Sequence, residues 1–132
     1  AVHLAYLLDN YGVTASRFNF VVDLWGASLI PADDPVAAAN HLATGESPLF
    51  VIHGTNDPTV PFSASELLVA RAVNQQLPHE FYPVVGAGHG FGAINIFVLE
   101  ASPGVTLFDR MLQWTVQTVR EHENLLRDGF EG

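Results

Sequence analysis

The sequence predicts an α/β fold, a parallel sheet of about three strands alternating with helices. Two observations carry this. The run "PLFVIHG" at 48–54 is continuously apolar and bounded by Pro and Gly, as in a strand covered on both faces. Segments of strand composition also alternate with segments of helical spacing along the whole chain.

Taken in order, "AVHLAYLLDNYG" suits a short helix. Val2, Tyr6 and Asp9 lie on one side, Leu4, Leu7 and Leu8 on the other, and Gly12 stops it. "FNFVVDLWG" at 18–26 is rich in aromatic and β-branched residues and ends in Gly, so it reads as a strand. The next stretch holds two prolines and an Ala-rich segment. It predicts a loop with one short helix around 35–43. After the strand at 48–54, Ser63 and Glu66 have the S-x-x-E spacing of a capping box, and Phe62 and Leu67 sit where a hydrophobic staple would lie. That helix is expected to reach Leu77 and stop at Pro78. "HEFYPVVGAGHG" at 79–90 predicts a third strand, interrupted by Pro83, with a Gly-rich exit. A last helix is expected over about 104–125, with Phe108, Met111, Leu112, Thr115 and Val119 on one face.

The 132 residues suit one domain with its own core; 48% are hydrophobic and 14% charged. There is no cysteine, so no disulfide and no thiolate zinc site. The formal net charge is −9, and all basic residues are Arg. That balance repels phosphate backbones, so neither nucleic acid nor an anionic membrane is an expected partner. The compartment stays open, with a soluble cytoplasmic protein favoured. The chain starts at Ala1 in what reads as the body of a helix, and three strands make a thin sheet with a raw edge. The expectation is a single domain, 1–132, that is incomplete.

In open parallel sheets, ligands bind beyond the carboxyl ends of the strands. Two predicted strand ends carry titratable groups. The second leads through His53 to Asp57, and the third leads to His89 within "GAGHGF". A carboxylate bonded to an imidazole fixes its tautomer and stabilises its charged form. Such a pair activates a serine hydroxyl, and one large fold has the chain order Ser, Asp, His. For each residue a plainer role exists: an Asx turn for Asp57, a solvated loop for His89, and a structural bond to a neighbouring loop for His53. Asp23, at the end of the first strand, is an alternative acid. A metal held by His53, Asp57 and His89 is possible by ligand type, but the spacing has no compact zinc motif, so no metal or cofactor is expected.

"PLFVIHGTNDPTVPFSASELL" followed by "EFYPVVGAGHGF" resembles the C-terminal part of an α/β-hydrolase of the esterase and lipase kind. The resemblance covers roughly 18–125. It implies that Asp57 is the catalytic acid and His89 the general base, 32 positions apart in the chain. Two features of the family are missing. The sequence contains no G-x-S-x-G nucleophile elbow, and the early loop of the oxyanion hole has no counterpart. Because "AVHLAYLL" resembles the helix after the elbow, the missing serine is expected just before Ala1. Ser28 has the right order, but Ile30 and Pro31 follow it where an elbow needs small residues and a helix. Ser63 is accounted for by capping, and Ser47 precedes a strand.

The leading expectation is therefore part of a serine carboxylesterase that works through an acyl-enzyme. Its partners would be a small ester substrate and a segment or chain carrying the serine; a homo-oligomer is compatible. Trp25 and Phe91 flank strand ends and are candidates for the substrate pocket. The short stretch between the first two strands favours an open esterase over a lidded lipase. The competing expectation is a non-catalytic module whose exposed sheet edge pairs with a partner or a second copy.

Overall fold

The computed structural model describes residues 6, 19–26 and 37–130. The chain forms two compact units, 1–94 and 95–132. The first holds a three-stranded parallel sheet in the order β1 (Val21–Leu24), β2 (Leu49–Gly54) and β3 (His79–Val84). Val21 pairs with Leu49 and Leu49 with His79, so all three strands begin at one level. The strands alternate with helical segments as the sequence predicts. These are a short 3-10 turn, Ala38–Asn40, and helix α1, Phe62–Asn74.

Every residue of β2 is buried, as its unbroken apolar run requires. Leu49 and Val51 face a cluster containing Tyr6, Val21, Ala38, Ala39, Leu42, Leu68, Ala72 and Leu77. His53 continues that face, since side chains two apart in a strand share a side. Phe50, on the other face, packs on Tyr82 with ring centroids 5.4 Å apart. The strand at 79–84 is not broken by Pro83, which pairs with His53. A proline is tolerated there because β3 is an edge strand among the described residues, so its missing N–H costs no ladder bond.

The predicted first helix lies outside the described residues except for Tyr6. That residue is helical and buried, and its hydroxyl donates to the Ser47 carbonyl at 3.1 Å. Helix α1 differs from expectation at both ends. Pro61 takes the N-cap position and no side chain caps the helix, so Ser63 and Glu66 form no capping box. The reason lies upstream. The Asp57 carboxylate holds the Thr59 and Val60 amides and shapes the approach before Ser63 is reached. Phe62 stacks on Phe81 and meets the His53 ring edge-on, each at 5.8 Å, so its ring packs against the sheet. At the C-terminus the helix stops at Asn74, before Pro78 is reached. Gln76 adopts φ +55, its N–H donates to Val73 O, and the Leu77 N–H donates to Ala72 O. This is a Schellman stop with Gln where Gly is usual, sealed by the buried Leu77.

The second unit contains a small hairpin, β4 (Glu100–Ser102) and β5 (Val105–Thr106), then helix α2 (Leu107–Phe130). The predicted helix start at 104 is in fact the hairpin turn, with Gly104 at φ +76. Thr106 Oγ accepts the Asp109 N–H at 3.0 Å and donates to the Asp109 carboxylate at 2.8 Å, so this helix does begin with a reciprocal cap. Its buried stripe runs through Leu107, Trp114 and Thr118, while Leu112 is exposed. The expected face is therefore rotated by about one position, centred on the bulky Trp114.

Candidate active site

The site forms where the loops after β2 and β3 are tied together. Thr55 N–H donates to Val84 O, Asn56 N–H to Ala87 O, and Gly86 N–H to Thr55 Oγ, at 2.9–3.0 Å. These bonds extend the parallel register beyond the strand ends, so Asp57 and His89 arrive at one height. The approach is close. A Cβ on Gly54 would come within 3.0 Å of the Ala87 and Gly88 backbone, so only glycine fits at the end of β2. Gly90 takes φ +68 immediately after His89, a conformation that frees the loop to turn. Gly88, just before His89, is extended with φ −90.

Asp57 and His89 are brought together: the Nδ1–H of His89 donates to Asp57 Oδ2 at 2.8 Å. The Asp57 side chain is fully buried, whereas the His89 side chain is 39% exposed. Nε2 of His89 has no hydrogen-bond partner among the described residues, which leaves it available to a proton donor. Asp57 Oδ1 accepts the Thr59 N–H at 2.8 Å and the Val60 N–H at 2.9 Å. Burial alone would raise the Asp57 pKa. Bonds from the Val60 amide, the His89 ring and the Thr59 amide, with the nearby His89 charge, outweigh it and lower the pKa to about 2. The turn role and the pairing with His89 are thus carried by the same carboxylate, one oxygen for each.

His53 is completely buried. Its Nδ1 lies 2.6 Å from Ser65 Oγ, and its Nε2 lies 3.1 Å from Val60 O and 3.3 Å from Asp57 Oδ2. Asp23 is buried on β1, with one carboxylate oxygen unpartnered among the described residues. Burial raises its pKa against the opposing pull of His53 and of a bond from the Gly26 amide. The structure does not bring Asp23 into contact with His89. Ser28 lies outside the described residues. Among the described residues no group of three or more acidic or imidazole side chains is arranged to hold a metal.

Trp25 lies beside the histidine, and Phe91 lies beside Trp25. Their rings meet edge to face at 4.9 Å, and Trp25 meets His89 edge-on at 6.4 Å. Both have left-handed backbone, φ +46 and +64, which bulky residues rarely adopt. Ser65 was overlooked in the sequence because it sits inside the expected S-x-x-E motif. Its spacing to Leu68 and Ala72, i, i+3, i+7, marks the inward face of α1 and was the available signal.

The profile of the prolyl oligopeptidase family matches residues 22–121. No curated protein matches the chain. Among solved structures, a truncated carbohydrate esterase from gut microbiota aligns with TM-score 0.60 and 23% identity, covering 83% of this chain and 45% of that one. Esterase 2 of Thermogutta terrifontis phosphonylated by cyclosarin aligns with TM-score 0.51 and 22% identity over 80% and 41%. Its butyrate-bound form aligns with TM-score 0.50 and 19% identity over 80% and 44%. The chain therefore spans less than half the length of these structures, and at such identities the likeness establishes the fold. No described helix is long and apolar enough to cross a membrane. The strand order, the helix alternation and the family profile agree: this chain has an α/β-hydrolase fold and belongs to the prolyl oligopeptidase family.

Proposed function

We propose that this chain supplies the acid and base of a serine hydrolase acting on carboxylic esters, and that the nucleophilic serine comes from outside these 132 residues. The observation that carries this reading is the 2.8 Å bond from His89 Nδ1 to the buried Asp57, with His89 Nε2 left unengaged. In the reaction, Nε2 takes the serine proton as the serine oxygen bonds to the substrate carbonyl carbon. Asp57 stabilises the imidazolium that results. The ester C–O bond then breaks, and His89 returns the proton to the leaving alkoxide. Water repeats the sequence on the acyl-enzyme, with His89 again accepting and donating the proton. Trp25 and Phe91 form the apolar wall beside the base.

The test uses a protein that joins this chain to the segment bearing the serine. Asp57→Asn and His89→Ala are expected to lower kcat on short p-nitrophenyl esters about 10⁴-fold, with the fold intact. The isolated chain is expected to show neither turnover nor fluorophosphonate labelling. If it shows both, and Ser28→Ala removes them, the serine lies within the chain and the reading fails.

Family membership favours a second substrate class, peptide bonds, because the same acid and base serve amides. Comparing p-nitrophenyl butyrate with a peptide p-nitroanilide in the same protein distinguishes the two. A higher kcat/KM on the anilide would favour the peptidase.

A further inference from the structure

The acid–base pair accounts for His89 and Asp57 but not for the second imidazole, which lies beside the same carboxylate oxygen. His53 Nε2 faces two atoms that can only accept, the Val60 carbonyl at 3.1 Å and Asp57 Oδ2 at 3.3 Å. Nε2 must therefore carry a proton. On the other side of the ring, Nδ1 lies 2.6 Å from Ser65 Oγ. With Nε2 protonated, a neutral ring accepts the Ser65 proton at Nδ1. The serine's approach to Gly26 O, at 3.3 Å, is the weaker alternative. The Val60 carbonyl and the Asp57 carboxylate thus select the tautomer, and the Ser65 hydroxyl rotates to match it.

We propose that His53 is a positioning residue for the acid of this site: its Nε2–H, bonded to the Val60 carbonyl at 3.1 Å, faces Asp57 Oδ2 from 3.3 Å, so it pins the turn that carries the carboxylate and moderates the hold of Oδ2 on the base. This rests on the acid–base reading above. Asp57 Oδ1 accepts the Thr59 and Val60 amides and Oδ2 accepts the His89 ring, while the His53 N–H, bonded to Val60 O, faces Oδ2 from 3.3 Å. A turn whose Val60 N–H and C=O are both held keeps the carboxylate in one orientation. An oxygen that faces a second N–H also holds an imidazolium less strongly. The titratable groups around His53 are Asp57 and His89 from the two loops and Asp23 from β1. Ser65 and Phe62 face it from α1.

The test is a pair of substitutions in the serine-bearing protein. His53→Gln keeps an amide N–H near the position of Nε2. His53→Asn keeps a polar atom near Nδ1 and loses the N–H that faces Asp57 Oδ2. For His53→Asn, kcat/KM is expected to fall about tenfold. The acid limb of its pH profile should move up by about half a pH unit, because Asp57 then holds the His89 proton more tightly. His53→Gln should restore the limb. If both variants lower the rate without moving the limb, or move it equally, His53 is structural only and the proposal is overturned. Nitrogen-15 NMR of the unsubstituted protein needs no variant to fold. It should show the ring protonated at Nε2 with Nδ1 unprotonated, and the reverse tautomer overturns the proposal. If Asp57→Asn retains full activity, the acid–base reading itself fails and takes this inference with it. Full loss there with an unmoved limb in His53→Asn sinks this inference alone.

Discussion

Among the described residues, two connections lead from a strand into an α-helix, and they use the same chemistry for different ends. Between β5 and α2, Thr106 and Asp109 bond reciprocally and satisfy the start of the helix. Between β2 and α1, the oxygen on backbone amides belongs to Asp57, and it organises the approach to the helix before any cap is reached. The second oxygen of that carboxylate is then committed to the His89 imidazole. A cap stabilises one helix end; the same type of bond moved a few residues upstream builds a site. The helix at that site begins at Pro61 without a side-chain cap, and its start is set by the loop.

The largest expected effect strikes the site connection. Gly54→Val would force a side chain into the Ala87–Gly88 backbone and push the histidine loop away. A loss of about 3 kcal/mol in urea unfolding is expected, with the His89–Asp57 bond broken. An unchanged midpoint would mean the two loops are not tightly apposed. Next comes pH. Asp57 titrates at about 2 in the folded protein against 3.8 for an unperturbed carboxyl. Its stabilisation is complete above pH ~4 and is lost as pH falls through about 2. Acid titrations should therefore lose this part of the slope in Asp57→Asn, and an identical slope would contradict the assigned bonds. Thr106→Ala, at the plain cap, should cost about 1 kcal/mol, concentrated in α2 and read by hydrogen exchange of its first turn. Ser63→Ala should be the smallest, within about 0.5 kcal/mol, because Ser63 caps nothing. A cost equal to that of Thr106→Ala would erase the contrast between the two connections.

What the sequence makes legible follows the same division. The buried strand at 49–54 is plain from its apolar run. Asp57 and His89 are plain because turn chemistry and glycines mark both strand ends. Their meeting in space agrees with the spacing, since parallel strands in register bring consecutive loops to one edge. The start of α1 is not legible: S-x-x-E is a local signal, and a carboxylate six residues upstream of Ser63 overrides it. The β4–β5 hairpin is too short, at three and two residues, to show alternation. The stripe on α2 is expected one position away because Phe108, Met111, Leu112, Thr115 and Val119 keep helical spacing as well as Leu107, Trp114 and Thr118 do. His53 was expected to bond neighbouring loops, and it does so. Its contact with Asp57 depends on the turn through Pro58 folding back, which no periodicity encodes.

The left-handed backbone at Trp25 and Phe91 has a consequence for how this protein can change. Each bulky residue in that conformation costs on the order of 1–3 kcal/mol, and the two rings brace each other, with Trp25 beside His89. Glycine at Phe91 would relieve the backbone but give up a buried ring worth about 3–5 kcal/mol, more than the strain released, whereas at half-buried Trp25 the two terms are closer. Packing therefore holds the Phe91 backbone in a conformation that its own side chain disfavours. Heat-tolerant variants should keep the aromatic at Phe91, and small residues should appear at Trp25 first.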